Sequence, residues 1–172
     1  ADVEKNAYTM KTLNDAVLLR NRVIDMFEQA ENETDPVLRK GMLNFVVVGG
    51  GYAGIETAGE LLDLLLDIRK YYPSIQKDDV KVIVLEAMGE ILGGANKKLA
   101  DFAKKELIKR GMDIRLKQTV TSFDGNEVMI KSLDETPKDS IDQSEKNSII
   151  TKTLIWTAGI TSVSTIKRSI FK

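Results

Sequence analysis

One junction constrains this chain more than any other. Asn44-Phe45-Val46-Val47-Val48 is a short apolar, β-branched run of the kind that forms a buried parallel strand. It runs directly into Gly49-Gly50-Gly51-Tyr52-Ala53-Gly54, and a helical pattern follows to about Lys70, with Ile55, Ala58, Leu61, Leu62 and Leu65 on one face. Gly49-x-Gly51-x-x-Gly54 is therefore a dinucleotide-binding fingerprint in the strand-to-helix setting that gives it meaning. Each glycine has a physical task. Gly49 permits the tight turn, Gly51 lets a pyrophosphate approach the backbone, and Gly54 lets the helix pack closely on the strand. The helix N-terminus adds free N–H groups and a positive dipole end. The whole loop Gly49, Gly50, Gly51, Tyr52, Ala53 and Gly54 is expected to hold the cofactor phosphates.

Three further positions belong to this expectation. Val80 to Leu85 reads as a second strand, and Glu86 stands at its end, where a carboxylate accepts hydrogen bonds from ribose hydroxyls. Glu86 lies 35 positions after Gly51, against about 20 in the usual pattern; the long helix and the loop 71–79 absorb the excess. No Arg or Lys occurs in the five positions after Glu86, so a 2′-phosphate would be repelled and NADH is favoured over NADPH. Glu56 falls in the first helical turn and has two readings, a helix-dipole partner or a carboxylate facing the nicotinamide end. Thr157-Ala158-Gly159 ends the last strand, where small residues leave room for a ligand at the strands' carboxyl ends.

The rest of the chain supplies the frame. Residues 9–30 read as an amphipathic helix with Leu13, Ala16, Val17, Val23, Ile24 and Phe27 at helical spacing and a capping box at Thr12 and Asp15. Residues 31–41, with Pro36, read as a polar linker. Asn96 caps a helix through Arg110, with Leu99, Phe102, Ala103 and Leu107 inward and Gly111 past the end. Residues 113–116 form a third strand. Asp124-Gly125-Asn126 joins a hairpin, 133–147 reads as a mobile polar loop, and a last strand closes on Ala158-Gly159. The expected fold class is α/β, Rossmann-like, with a mostly parallel sheet, helices on both faces and a small antiparallel β-meander. The expected division is a helix-and-linker segment at 1–41 and an NAD(H)-binding domain at 42–172.

Composition narrows the chemistry. The 172 residues contain no cysteine and no histidine, and the net charge is −1. Thiolate nucleophiles, redox dithiols and thiolate metal sites are excluded, as is the commonest general base, and no metal ligand is assigned. No global basic field exists to hold nucleic acid. The apolar stretch 55–68 is broken by Glu56, Glu60, Asp63 and Asp67, so it is not a membrane span. No signal-peptide pattern occurs; the start without Met and the end just after a candidate strand suggest a fragment of a longer polypeptide, with a trimmed or processed whole protein as the alternative.

Four stretches together carry a family resemblance: Tyr8 to Ala16 with Leu19-Arg20-Asn21 and Phe27 to Ala30; Val46 to Glu56 with Ala58 to Leu61; Glu90-Ile91-Leu92 through Lys109-Arg110-Gly111; and Leu154 to Ile160. They resemble the second, NAD(H)-binding domain of the two-dinucleotide-domain flavoprotein reductases of the pyridine nucleotide-disulfide oxidoreductase superfamily, most closely the type II NADH dehydrogenases. The resemblance implies a parent enzyme that passes hydride from NADH to FAD and then electrons to quinone. It implies a catalytic role for Glu56 beside the nicotinamide and the flavin, with Trp156 to Gly159 approaching the same place. It implies an FAD domain in the same parent chain, which binds FAD mainly through segments outside these residues, and a peripheral position on the cytoplasmic face of a membrane. A homodimer is compatible with it. Leu64 and Leu66 would face the FAD domain or a dimer partner. The fragment alone is expected to be inactive. Gly93-Gly94-Ala95-Asn96 departs from the family pattern, which often has Pro and Asp there. Ferredoxin- or nitrite-reductase flavoproteins, an S-adenosylmethionine-binding methyltransferase and a nucleotide-sensing module without flavin are the rival readings.

Overall fold

A computed structural model describes residues 3–133 and 147–159. The chain runs α1 (Val3–Asn6), β1 (Tyr8–Thr9), α2 (Leu13–Asn32), α3 (Pro36–Leu43), β2 (Asn44–Val48), α4 (Tyr52–Ile68), β3 (Lys81–Glu86), α5 (Lys97–Lys109) and β4 (Asp113–Leu116). β5 (Gln118–Phe123), β6 (Glu127–Ser132), β7 (Ser148–Ile150) and β8 (Thr153–Trp156) follow. The main sheet has the order β1-β8-β2-β3-β4, with every pair parallel. The second sheet, β5-β6-β7, is antiparallel. β2 and β8 run in register from Phe45 opposite Thr153 to Val48 opposite Trp156. The last strand thus returns between the first two and brings residue 157 beside the glycine loop.

The alternation of side chains along β2 sorts the core into two layers. Phe45 and Val47 point to the layer filled by Leu19, Val23, Phe27, Ala58, Leu61 and Leu65 from α2 and α4. Val46 and Val48 point to the layer filled by Phe123, Val128, Ile130 and Ile149 of the antiparallel sheet. Both layers are built of buried apolar side chains, which is why β2 reads as a continuous apolar run. The α/β class with a mostly parallel sheet and a meander is as expected. The long helices share one face, and among the described residues the other face is covered by the antiparallel sheet and the four-residue α1.

Several local readings change. The stretch 36–43 is a helix, not a linker: Asp35 caps it by accepting from Val37 and Leu38 N–H, and Pro36 sits in the first turn, where its missing donor costs nothing. In α2 the Thr12/Asp15 capping box is present, but the buried face is Leu19, Val23, Met26, Phe27 and Ala30. Leu13, Val17 and Ile24 are exposed. The helix carries apolar residues on two sides, and periodicity alone does not say which side meets the sheet. In α5 Ala100 is buried, Leu107 packs on the core and Ala103 is half-buried, while Leu99 and Phe102, expected inward, are exposed. Leu64 and Leu66 are half-buried against the chain's own core. The loop read at 133–147 lies almost wholly outside the described residues.

Candidate nucleotide-binding site

The glycine loop closes at the carboxyl ends of β2, β3 and β8. Gly49 donates to Leu85 O at 2.9 Å and takes φ +110°, a left-handed conformation that favours glycine. A Cβ on Gly49 would stand 3.0 Å from Ala158 N, and one on Gly54 would stand 1.9 Å from Gly49 O. These two glycines are therefore required by packing. The Thr157 hydroxyl donates to Val48 O at 2.8 Å and Thr157 N–H donates to the same oxygen at 3.0 Å, so the 157–159 turn is stitched to the loop.

Gly51 differs from its neighbours. It has an ordinary φ of −71°, and a Cβ there would meet nothing within 4 Å. The loop opens onto free space at the point where the fingerprint requires a pyrophosphate to approach. α4 begins at Tyr52 with no side-chain cap, so the N–H groups of its first turn lack that usual partner. Gly51, Tyr52 and Ala53 are exposed, as a ligand-accepting edge must be. The residues present fit a dinucleotide.

Glu86 lies against this loop. Its Oε2 accepts Gly50 N–H at 2.5 Å and its Oε1 accepts Met88 N–H at 2.6 Å. Leu92 N–H donates to Gly50 O at 2.7 Å, so the Gly50 residue is held on both its backbone groups by the segment 86–92. Each carboxylate oxygen retains a further lone pair that can accept a hydroxyl. Leu92 holds φ +55°, uncommon for a branched side chain. The amides of Met88 and Leu92 are site contributors that sequence reading missed. No residue-type signal marks a backbone donor or a positive φ at leucine.

Glu56 is placed elsewhere. It is exposed on α4 and lines a groove of about 550 Å³ between α2 and α4, together with Met10, Leu19, Arg20, Ala53 and Glu60. Among the described residues it makes no hydrogen bond or ion pair. The geometry thus gathers Gly49, Gly50, Gly51, Gly54, Glu86, Thr157 and Ala158 into one cluster, with Gly159 one residue further at φ +78°. Glu56 stands on the neighbouring groove. No group of three or more acidic side chains able to hold a metal ion is found among the described residues. No described helix is long and apolar enough to cross a membrane.

Comparison with known proteins gives a consistent picture. The family profile described as pyridine nucleotide-disulphide oxidoreductase matches residues 3–170. The chain is 37% identical over 160 residues to an external alternative NADH-ubiquinone oxidoreductase, mitochondrial, of Yarrowia lipolytica, covering 92% of this chain and 26% of that protein. It is 34% identical over 154 residues to the type II NADH:quinone oxidoreductase Ndh of Mycobacterium tuberculosis, covering 89% and 31%. The fold is that of NDH2 from Plasmodium falciparum, solved in complex with NADH, with a TM-score of 0.82 over 97% of this chain and 33% of that one at 24% identity. The chain spans about a quarter to a third of the length of these relatives.

Proposed function

The chain belongs to the pyridine nucleotide-disulphide oxidoreductase family, and from that membership we propose that it is the NADH-holding part of a flavin-dependent NADH:quinone oxidoreductase. The observation that carries the reading is the open Gly51 edge beside a carboxylate anchored at the end of the adjacent strand. The chemistry supplied by the bound groups is hydride transfer from NADH to FAD and electron delivery onward to quinone. The chain's own residues bind and orient. The glycine loop and the first turn of α4 receive the pyrophosphate, and Glu86 accepts the adenosine ribose hydroxyls through its remaining lone pairs. Thr157, Ala158 and Gly159 border the nicotinamide end, and Glu56 on the adjoining groove is the carboxylate assigned to the nicotinamide–flavin contact. The proposed NAD(H)-binding unit is 42–172, with 1–41 as a leading segment that adds β1 to the main sheet and α2 to its core. The proposed partner is the FAD domain of the same parent chain, with a homodimer as the proposed assembly. A lipid-phase quinone as acceptor supports a peripheral membrane position for the parent, and the cytoplasmic face is proposed with it.

The test is a titration of the 172-residue chain. NADH is expected to raise its melting temperature and S-adenosylmethionine to leave it unchanged. Glu86→Arg is expected to weaken NADH binding roughly tenfold or more, from the loss of charge-assisted hydrogen bonds, and to improve NADPH binding. An unchanged preference in that variant would remove Glu86 from the assignment.

A further inference from the structure

No Lys or Arg follows Glu86 closely in sequence, but the fold brings one to the same loop from another strand. β3 and β4 run parallel with Glu86 opposite Leu116, so Lys117, between β4 and β5, stands beside the loop that leaves β3. Lys117 N–H donates to Met88 O at 3.0 Å, and Leu133 N–H donates to Lys117 O at 2.7 Å. Met88 N–H in turn donates to Glu86 Oε1 at 2.6 Å. The Lys117 main chain is therefore tied on both its polar groups, one residue removed from the Glu86 carboxylate. It holds φ +54°, a left-handed conformation uncommon for a residue with a side chain. Among the described residues Leu92 alone shares this outside glycine, and Leu92 grips the same site through Gly50 O. Such residues persist where their surroundings over-determine them, and they gather at ligand sites. The Lys117 stem lies across Gly89, with its Cε 3.7 Å from where a Gly89 Cβ would stand. Lys117 and the loop 87–90 are exposed.

We propose that Lys117 is a specificity-determining residue for the 2′ position of the adenosine ribose, and that it gives the site a measurable affinity for NADPH beside NADH. The inference rests on the reading of Glu86 as the acceptor of the ribose hydroxyls. A 2′-phosphate adds negative charge at an oxygen next to that carboxylate, so its binding needs a cation at the loop after β3. The segment 86–92 contains none, and Lys117 supplies it from outside the segment. An ammonium acts on a phosphate as a point charge and needs no fixed fork geometry. Glu86 and the exposed Glu90 provide the opposing charge. The preference thus stays with NADH, and Lys117 limits its size.

The experiment measures the dissociation constants of NADH and NADPH for the 172-residue chain and its variants in the same titration. NADPH is expected to bind the unmodified chain saturably, though more weakly than NADH. Lys117→Gln is expected to raise the ratio of the NADPH to the NADH constant about five- to tenfold. A merely structural role would weaken both nucleotides together and leave that ratio unmoved. In the unmodified chain NADPH affinity should fall with salt more steeply than NADH affinity, and the excess slope should vanish in Lys117→Gln. Glu86→Gln should shift the ratio toward NADPH, and adding Lys117→Gln should cancel much of that gain. Lys81→Gln, exposed at the other end of β3, should leave the ratio as it is. An unmoved ratio in Lys117→Gln, with Glu86→Gln still shifting it, overturns this proposal alone. An unmoved ratio in both variants removes the reading of Glu86 and this inference with it. No saturable NADPH binding by the unmodified chain overturns the proposal as well.

Discussion

Two glycines three positions apart separate binding from stability at the residue scale. A methyl on Gly54 would lie 1.9 Å from Gly49 O and 2.7 Å from the Thr157 hydroxyl, with backbone on one side that cannot yield. Gly54→Ala is expected to cost about 3 kcal/mol or more, at the upper end of overpacking effects, read as a lower urea midpoint. A methyl on Gly51 meets nothing and needs no unusual backbone. Gly51→Ala should therefore keep its stability within about 0.5 kcal/mol while NADH affinity falls roughly tenfold, because the added carbon fills the approach that the pyrophosphate needs. If both variants lost stability equally, the open edge at Gly51 would not be a ligand approach. Asp15 provides a pH test. The N–H of Lys11 foremost, with that of Thr12 and the hydroxyls of Thr9 and Thr12, holds its carboxyl below the ordinary 3.8. A depressed folded pKa gives stability that is complete above the unfolded value and lost as pH falls through the folded one. Asp15→Asn should lower the melting temperature at neutral pH, and its gap from the unmodified chain should close below about pH 4. A gap that persists in acid would show that the charge of Asp15 is not what stabilises the cap.

At the scale of elements, α3 shows how a capping signal outranks a compositional one. The segment around Pro36 is polar and reads as a linker, yet Asp35 satisfies two orphan N–H groups at 2.7 and 3.1 Å and Pro36 fixes the first helical φ. Asp35→Ala is expected to destabilise the chain by about 0.5–2 kcal/mol in urea unfolding; no measurable change would mean that tertiary packing of Gly41, Met42 and Leu43 alone forms this helix. The strands β2, β3 and β4, the helix α4 and the hairpin at Asp124-Gly125-Asn126 were legible in the sequence, because each couples a strong period to a chemical boundary: glycine loop, strand-end charge or turn residue. The inward faces of α2 and α5 were legible only in part: Val23, Phe27 and Leu107 meet the core as expected, while Leu13, Val17, Ile24, Leu99 and Phe102 do not. Both helices carry apolar residues on more than one side, and orientation is decided by what the sheet presents, as with Ala100 displacing Leu99 and Phe102 from the interior. The glycine cluster and its neighbour Glu86 could be read because their chemistry depends on residue type. The double backbone tether of Glu86 and the clasp from Leu92 could not, since a main-chain N–H has no sequence signature.

On the proposed function the whole molecule holds a nucleotide, and the chemistry lies in groups outside its own side chains. With neither cysteine nor histidine, the chain has no thiolate and no imidazole with which to relay electrons or protons. Its glycine fingerprint, 49–54, is proposed to serve one dinucleotide. Relatives of the family are three to four times longer, and the proposed transfer from nicotinamide to flavin needs two ring systems in contact, each with its own binding loop. The purified chain is therefore expected to bind NADH, to show no flavin absorbance after expression, and to leave NADH unoxidised when a soluble quinone is added. Adding the FAD-binding remainder of the parent polypeptide in the same chain should restore both the absorbance and the turnover, and Glu56→Gln in that longer chain should slow turnover more than it weakens NADH binding. Should the 172 residues by themselves carry flavin and oxidise NADH, the groove between α2 and α4 that holds Glu56 would have to be a flavin site in its own right, and the division of labour proposed for this domain would be wrong.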